Sequence, residues 1–201
     1  MNPVKIINFH NNPYKRNESN LLMYPQYGNV VVIKGTDLKS KVIGLFTGEY
    51  QHCGILTSEH VMETMTRRGR RPIDLTCDLE DENFGDFLIV EHILMTPELR
   101  RRIKEENEKI NAKYDTGNIR RLAKRHLMRK KPDGEDVSTP GMFMCSHYTG
   151  KFYQQVQLPI FDHYVHPSQI EPPHFLPSAS KYFRVVGEGG RNKSNQPEAR
   201  K

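Results

Sequence analysis

HCGILTSEHVMET, residues 52–64, decides how the rest of the chain can be arranged. Residues 52–56 and 61–66 are short runs of strand-forming character, and Thr57-Ser58-Glu59-His60 between them has turn chemistry. The pair reads as a β-hairpin. Successive side chains on a strand point to opposite faces, so His52 and Cys53 point apart and cannot exchange a proton. Cys53 shares a face with Ile55 and reads as a small buried hydrophobe. His52 lies on the other face, with Gly54 and Leu56. Glu63, on the returning strand, is expected to accept the imidazole N–H and fix the ring's tautomer. His60 is a rival for that role, within the turn.

Upstream, residues 1–27 show no periodicity and read as an N-terminal arm. Asn29–Lys34 (NVVVIK) is a β-branched run, and Lys41–Phe46 is a second apolar segment of ambiguous type. Downstream, RRGRRPIDL and an acidic loop precede a buried strand over Phe87–Ile93. Thr96-Pro97-Glu98 combines an N-cap, a first-turn proline and a first-turn carboxylate, which starts a helix running to about Ala112. A second, basic helix fits Asn118–Lys130. In MFMCSHYTGKFYQQV, Tyr148, Phe152 and Val156 recur every four residues and form an apolar helical stripe. Leu158–Pro177 is a Pro- and His-rich loop, Tyr182–Val186 a final strand, and residues 187–201 a polar tail expected to be disordered. No internal repeat occurs. Strands followed by helices, then a helix and a last strand, predict an α+β domain over 28–186.

The net charge of +6 is regional. Glu98–Lys131 holds thirteen Lys/Arg against five Asp/Glu, or +8, which leaves −2 for the remainder. This basic helical stretch (about 98–131) is either a solvated face or a surface for an anionic partner, and Arg120, Arg121, Lys124 and Arg125 are its anion-binding candidates. It lacks the interleaved aromatic residues of a base-stacking platform. No apolar run is long enough for a membrane span, and the N-terminus lacks signal-peptide character. Three cysteines cannot all pair internally, which suits a reducing compartment. A cytoplasmic or virion-associated protein is expected. Asp162-His163-Tyr164-Val165-His166 has ligand-type residues without zinc spacing, so neither a metal nor a cofactor is expected.

Cys145 is the nucleophile candidate. It follows a Pro-Gly loop and opens the striped helix, where unpaired N–H groups and the helix dipole favour a thiolate and can hold an oxyanion. With these residues in place, the chain resembles permuted papain-like cysteine hydrolases of the NlpC superfamily, in the YiiX-like branch, with lecithin retinol acyltransferase more distant. Gly28-Asn29-Val30-Val31-Val32-Ile33 stands where the family has "GDiif", and His52-Cys53-Gly54-Ile55 where it has His-Val-Gly-Ile. Val61-Met62-Glu63 matches "vvE", and Gly69–Leu75 resembles "GVrxxpL". Lys113-Tyr114-Asp115 is similar to "pYD", and Met144-Cys145-Ser146 to "yCSel". The resemblance spans about Gly28 to Phe175.

It implies an antiparallel, small barrel-like sheet against helices, in a circularly permuted papain-like fold. Cys145 is then the nucleophile, His52 the base and Glu63 the third polar group, with Tyr114, Asp115 and Ser146 at the substrate. Departures are Cys53 in place of Val, His147 where an acidic residue is common, and the long basic insertion. The expected activity is a thiol hydrolase or acyltransferase acting on an amide, of peptidoglycan or isopeptide type, or on a lipid ester. The basic region would suit an anionic polymer or a phospholipid. A non-catalytic component of a phage or virus particle, contacting other particle proteins, and a nucleic-acid-binding module are the alternatives.

Overall fold

Residues 26–37, 40, 44, 48–58, 60–79, 83–110 and 113–190 are described by a computed structural model. Their strands are β1 (Val30–Gly35), β2 (His52–Leu56), β3 (Val61–Thr66), β4 (Gly69–Asp74), β5 (Phe84–His92), β6 (Lys113–Tyr114), β7 (Met142–Phe143) and β8 (Phe183–Gly189). The helices are α1 (Pro97–Lys109), α2 (Thr116–Leu127) and α3 (Cys145–Gln155). Six strands form a sheet in the order β4-β3-β2-β1-β5-β8, every neighbouring pair antiparallel. β6 and β7 form a separate parallel pair. The architecture is α+β, as the order of elements predicts.

Strand alternation divides the core in two. Val30, Val32, Cys53, Ile55, Met65 and Val90 lie on one face, beneath Tyr148 and Phe152 of α3 and its C-cap Val156. The four-residue stripe is therefore the surface that docks α3 on the sheet. Val31, Ile33, Leu56, Met62, Ile73 and Ile89 form the second apolar layer, filled in by Leu75, Leu79 and Phe84. α1 begins as expected: Thr96 accepts from the Leu99 N–H at 3.2 Å, with Pro97 in the first turn. Arg100 then ties α1 to β5 through Glu91 and to the chain entering β1 through the Tyr27 carbonyl.

Three differences from the sequence expectations have physical reasons. Gly69–Asp74 is an added strand, tolerating Pro72 because it lies at the sheet edge. β5 begins at Phe84, earlier than expected, inside what reads as acidic loop. β8 extends to Gly189, into the predicted tail. Its glycines allow this extension, since a Cβ on Gly189 would lie 2.5 Å from the Phe87 ring. The Lys41–Phe46 segment falls largely outside the described residues, as do most of the N-terminal arm and positions 191–201.

Gly54 sets how closely β2 and β3 approach. A Cβ there would stand 2.5 Å from the Glu63 carbonyl oxygen and 2.9 Å from Thr64 Cβ, so backbone would have to move. Gly54→Ala is expected to cost about 2 kcal/mol, read as a lower urea midpoint. An unchanged midpoint would contradict this close approach.

Candidate active site

The site forms where α3 meets the end of β2. Met144 is the N-cap of α3 and Cys145 its first residue. The Tyr148 N–H bonds the Met144 carbonyl at 2.9 Å, so the amides of Cys145, Ser146 and His147 precede the first helical bond. The Cys145 side chain faces the sheet, and the residue is 4% exposed.

The hairpin register is Ile55↔Glu63 and Leu56↔Met62. Residues opposite one another in an antiparallel pair share a face, so Glu63 lies with Ile55 and Cys53. Thr64 takes the face of His52. Glu63 is therefore not beside the imidazole as expected. Arg70 donates to Glu63 Oε2 at 2.9 Å through Nε and approaches it at 2.7 Å through Nη2. Asn107 Nδ2 donates to the same oxygen at 2.7 Å, and the Tyr148 hydroxyl at 3.3 Å. Glu63 is thus a tie between the sheet, α1 and α3.

His52 Nε2 is 3.0 Å from Thr64 Oγ1. That hydroxyl donates to the Cys53 carbonyl at 2.6 Å, which leaves its oxygen to accept from Nε2–H. Nδ1 is then the ring's acceptor. The ring stacks on Phe84 with centroids 4.8 Å apart. Sequence alone does not single out Thr64, because a one-residue change in hairpin register exchanges it with Glu63.

Several groups pull the Cys145 thiol well below its ordinary pKa. The Cys53 thiol, as a hydrogen-bond donor, contributes most, and burial opposes it. The charge and hydrogen bonding of His52 and the Cys53 backbone N–H add to the lowering. Burial, with Cys145 alongside, pushes the Cys53 thiol up. The two thiols are thus driven in opposite directions, Cys145 toward the thiolate and Cys53 toward the thiol. Cys53 is buried, as expected, but its thiol also belongs to the site.

Tyr114 is brought to this place. Burial raises its phenol pKa, the nearby Cys145 and Cys53 thiols add to that, and Arg67 opposes them. Asp115 and Ser146, expected at the substrate, have polar atoms that are engaged within the fold. Asp115 caps α2 by accepting from Asn118 N–H at 2.9 Å and pairs with Arg121 at 3.0 Å. Ser146 donates to the Ile170 carbonyl at 2.5 Å.

The basic set also divides. Arg121 binds Asp115, Thr139 and the Val137 carbonyl, and Arg125 binds Asp133 and Glu135 at 2.8 and 2.7 Å. These two hold α2 to the following loop. Arg120 and Lys124 are exposed. Beyond them Leu127 and Met128 are 72% and 54% exposed, and Arg129, Lys130 and Lys131 follow them at the surface.

A cavity of about 350 Å³ lies along the other flank of α3, lined by Gly150, Gln154, Leu158, Phe161, Tyr164 and Ile170 among others. It includes neither Cys145 nor His52. Reactive groups gather at the β2–α3 junction, so that junction rather than the cavity is the candidate active site. Among the described residues, no helix is long and apolar enough to cross a membrane. No protein-family model matches the chain, and no match was found among curated proteins.

Proposed function

We propose that this chain is a thiol hydrolase or acyltransferase of the permuted papain-like kind, with Cys145 as nucleophile and His52 as base. The observation that carries the reading is the buried Cys145 thiol at the N-terminus of α3, packed against the sheet, with the charge of His52 among the causes that lower its pKa. His52 Nδ1 takes the thiol proton while Nε2–H stays bonded to Thr64. The thiolate attacks the carbonyl carbon, and the amides at the start of α3 are available to the oxyanion. The tetrahedral intermediate collapses as His52 returns the proton to the leaving amine or alcohol. Water, or a second acceptor, then releases the acyl group.

The exposed Leu127 and Met128, beside Lys124 and Arg129–Lys131, support a lipid ester or amide with an anionic head group over a nucleic acid.

Labelling with a small uncharged thiol reagent tests the nucleophile. Cys77 is exposed and its pKa is raised, foremost by desolvation, then by its hydrogen bond to Asp78 and the neighbouring carboxylates. It is an internal control whose thiol is shifted in the direction opposite to Cys145. At pH 6 Cys145 is expected to react at least tenfold faster than Cys77 despite its burial. Labelling of Cys145 no faster than Cys77 across pH 5–8 removes the assignment.

A further inference from the structure

Cys53 has no part in the acyl-transfer steps, yet it lies inside the site. It projects from β2 toward α3 and is completely buried. Its Sγ is 3.8 Å from the Thr149 hydroxyl, which in turn donates to the Cys145 carbonyl at 3.0 Å. Thr149 is one helical turn beyond Cys145, so this contact sets Cys53 against the first turn of α3. Cys53 and Cys145 belong to the same enclosed cluster, and each thiol acts on the other's ionisation.

We propose that Cys53 is the resolving thiol of a peroxide-responsive pair, closing a reversible disulfide with Cys145 that switches the nucleophile off. The inference rests on the Cys145 nucleophile reading and adds a regulation of the same site. In the first step the Cys145 thiolate attacks one oxygen of hydrogen peroxide. A sulfur–oxygen bond forms, the oxygen–oxygen bond breaks, and hydroxide leaves to take up the proton that Cys145 gave away. In the second step Cys53 sulfur attacks the sulfenic sulfur. The sulfur–sulfur bond forms, and hydroxide departs and takes the Cys53 proton as water. Two thiols lose two electrons, and one peroxide becomes two waters. A small dithiol reverses the reaction by exchange.

The different environments of the two thiols suit these roles. Cys145, at the N-terminus of α3 and the less buried of the two, is the thiol that meets the oxidant, while Cys53 is fully enclosed behind it. Cys77 is exposed, outside this cluster.

The experiment exposes the reduced full chain to hydrogen peroxide, blocks remaining thiols and maps a non-reducing digest by mass spectrometry. The expected product is a Cys53–Cys145 linked peptide, lost on treatment with dithiothreitol and retained in Cys77→Ser. In Cys53→Val, checked for folding by circular dichroism, Cys145 is expected to oxidise more slowly, because the Cys53 thiol no longer lowers its pKa, and its oxidised fraction passes on to sulfinic acid, which dithiothreitol does not reverse. Cys53→Ser gives the same readout if the valine does not fold. Sulfinic acid at Cys145 of the unaltered chain without a linked peptide, or linkage through Cys77, overturns the proposal. The linked peptide is read without any turnover. A chain that forms it yet hydrolyses nothing would sink the hydrolase reading and leave the redox pair standing.

Discussion

His52→Ala is expected to slow the reaction of Cys145 with a small uncharged thiol reagent at pH 6 by about 100-fold. An ordinary thiol, with pKa near 8.5, is only about 0.3% thiolate at that pH. The depressed Cys145 holds a larger thiolate fraction there, and reaction rate follows that fraction. Removing the imidazole takes away its charge and its hydrogen bond. The Cys53 contacts and the α3 N-terminus remain and retain part of the lowering. Linkage has a matching sign. A thiol whose folded pKa lies below its unfolded value adds stability above the unfolded pKa and loses it as pH falls through the folded one. Thr64→Val keeps the ring but removes its Nε2 partner, so about a tenfold loss is expected, with the pH profile displaced upward. Unchanged reactivity in His52→Ala, with the fold verified by circular dichroism, would leave Cys53 and the helix terminus as sufficient causes and remove His52 from the chemistry.

Glu63→Ala is expected to destabilise the fold by about 3 kcal/mol. One carboxylate oxygen receives Arg70, Asn107 and Tyr148, from β4, α1 and α3. Removing it leaves a guanidinium, an amide and a phenol without that acceptor at one junction. The Glu63 and Arg70 side chains are 21% and 27% exposed, so water screens the pair, and the figure stays below that for a fully buried ion pair. For a domain of this size the loss corresponds to a melting point lower by about 5–10 °C. Well below that transition, Cys145 should label at its original rate, since Glu63 does not touch His52. The opposite result, full stability with lost reactivity, would return Glu63 to the orienting role that its place in the sequence suggests. Glu63→Gln keeps an acceptor and should fall between the two.

Local patterns were the readable part of this chain. Alternation gives β2 and β3, the cap and proline give α1, and the four-residue recurrence of Tyr148, Phe152 and Val156 gives α3. β4 was hidden because Arg70, Arg71 and Pro72 do not look like a strand, and only pairing with β3 along the edge makes them one. The end of β8 was hidden because Gly187–Gly189 carries no apolar signal, although the backbone of Phe87–Ile89 pairs with it. Arg121 and Arg125 resemble their basic neighbours in the sequence. Only the loop folding back as Asp133–Thr139 engages them internally.

By itself the sequence determined the candidate nucleophile, its helix terminus and the strand that carries His52, since each depends on the chemistry of a few neighbouring residues. The tertiary structure alone decided which groups meet them. Register selects Thr64 over Glu63 for the imidazole, because a shift of one residue turns every side chain to the opposite face. The packing of α3 on β2 brings Cys53 to Cys145 across more than ninety residues of chain. That contact depends on how two faces dock, and no local spacing records it.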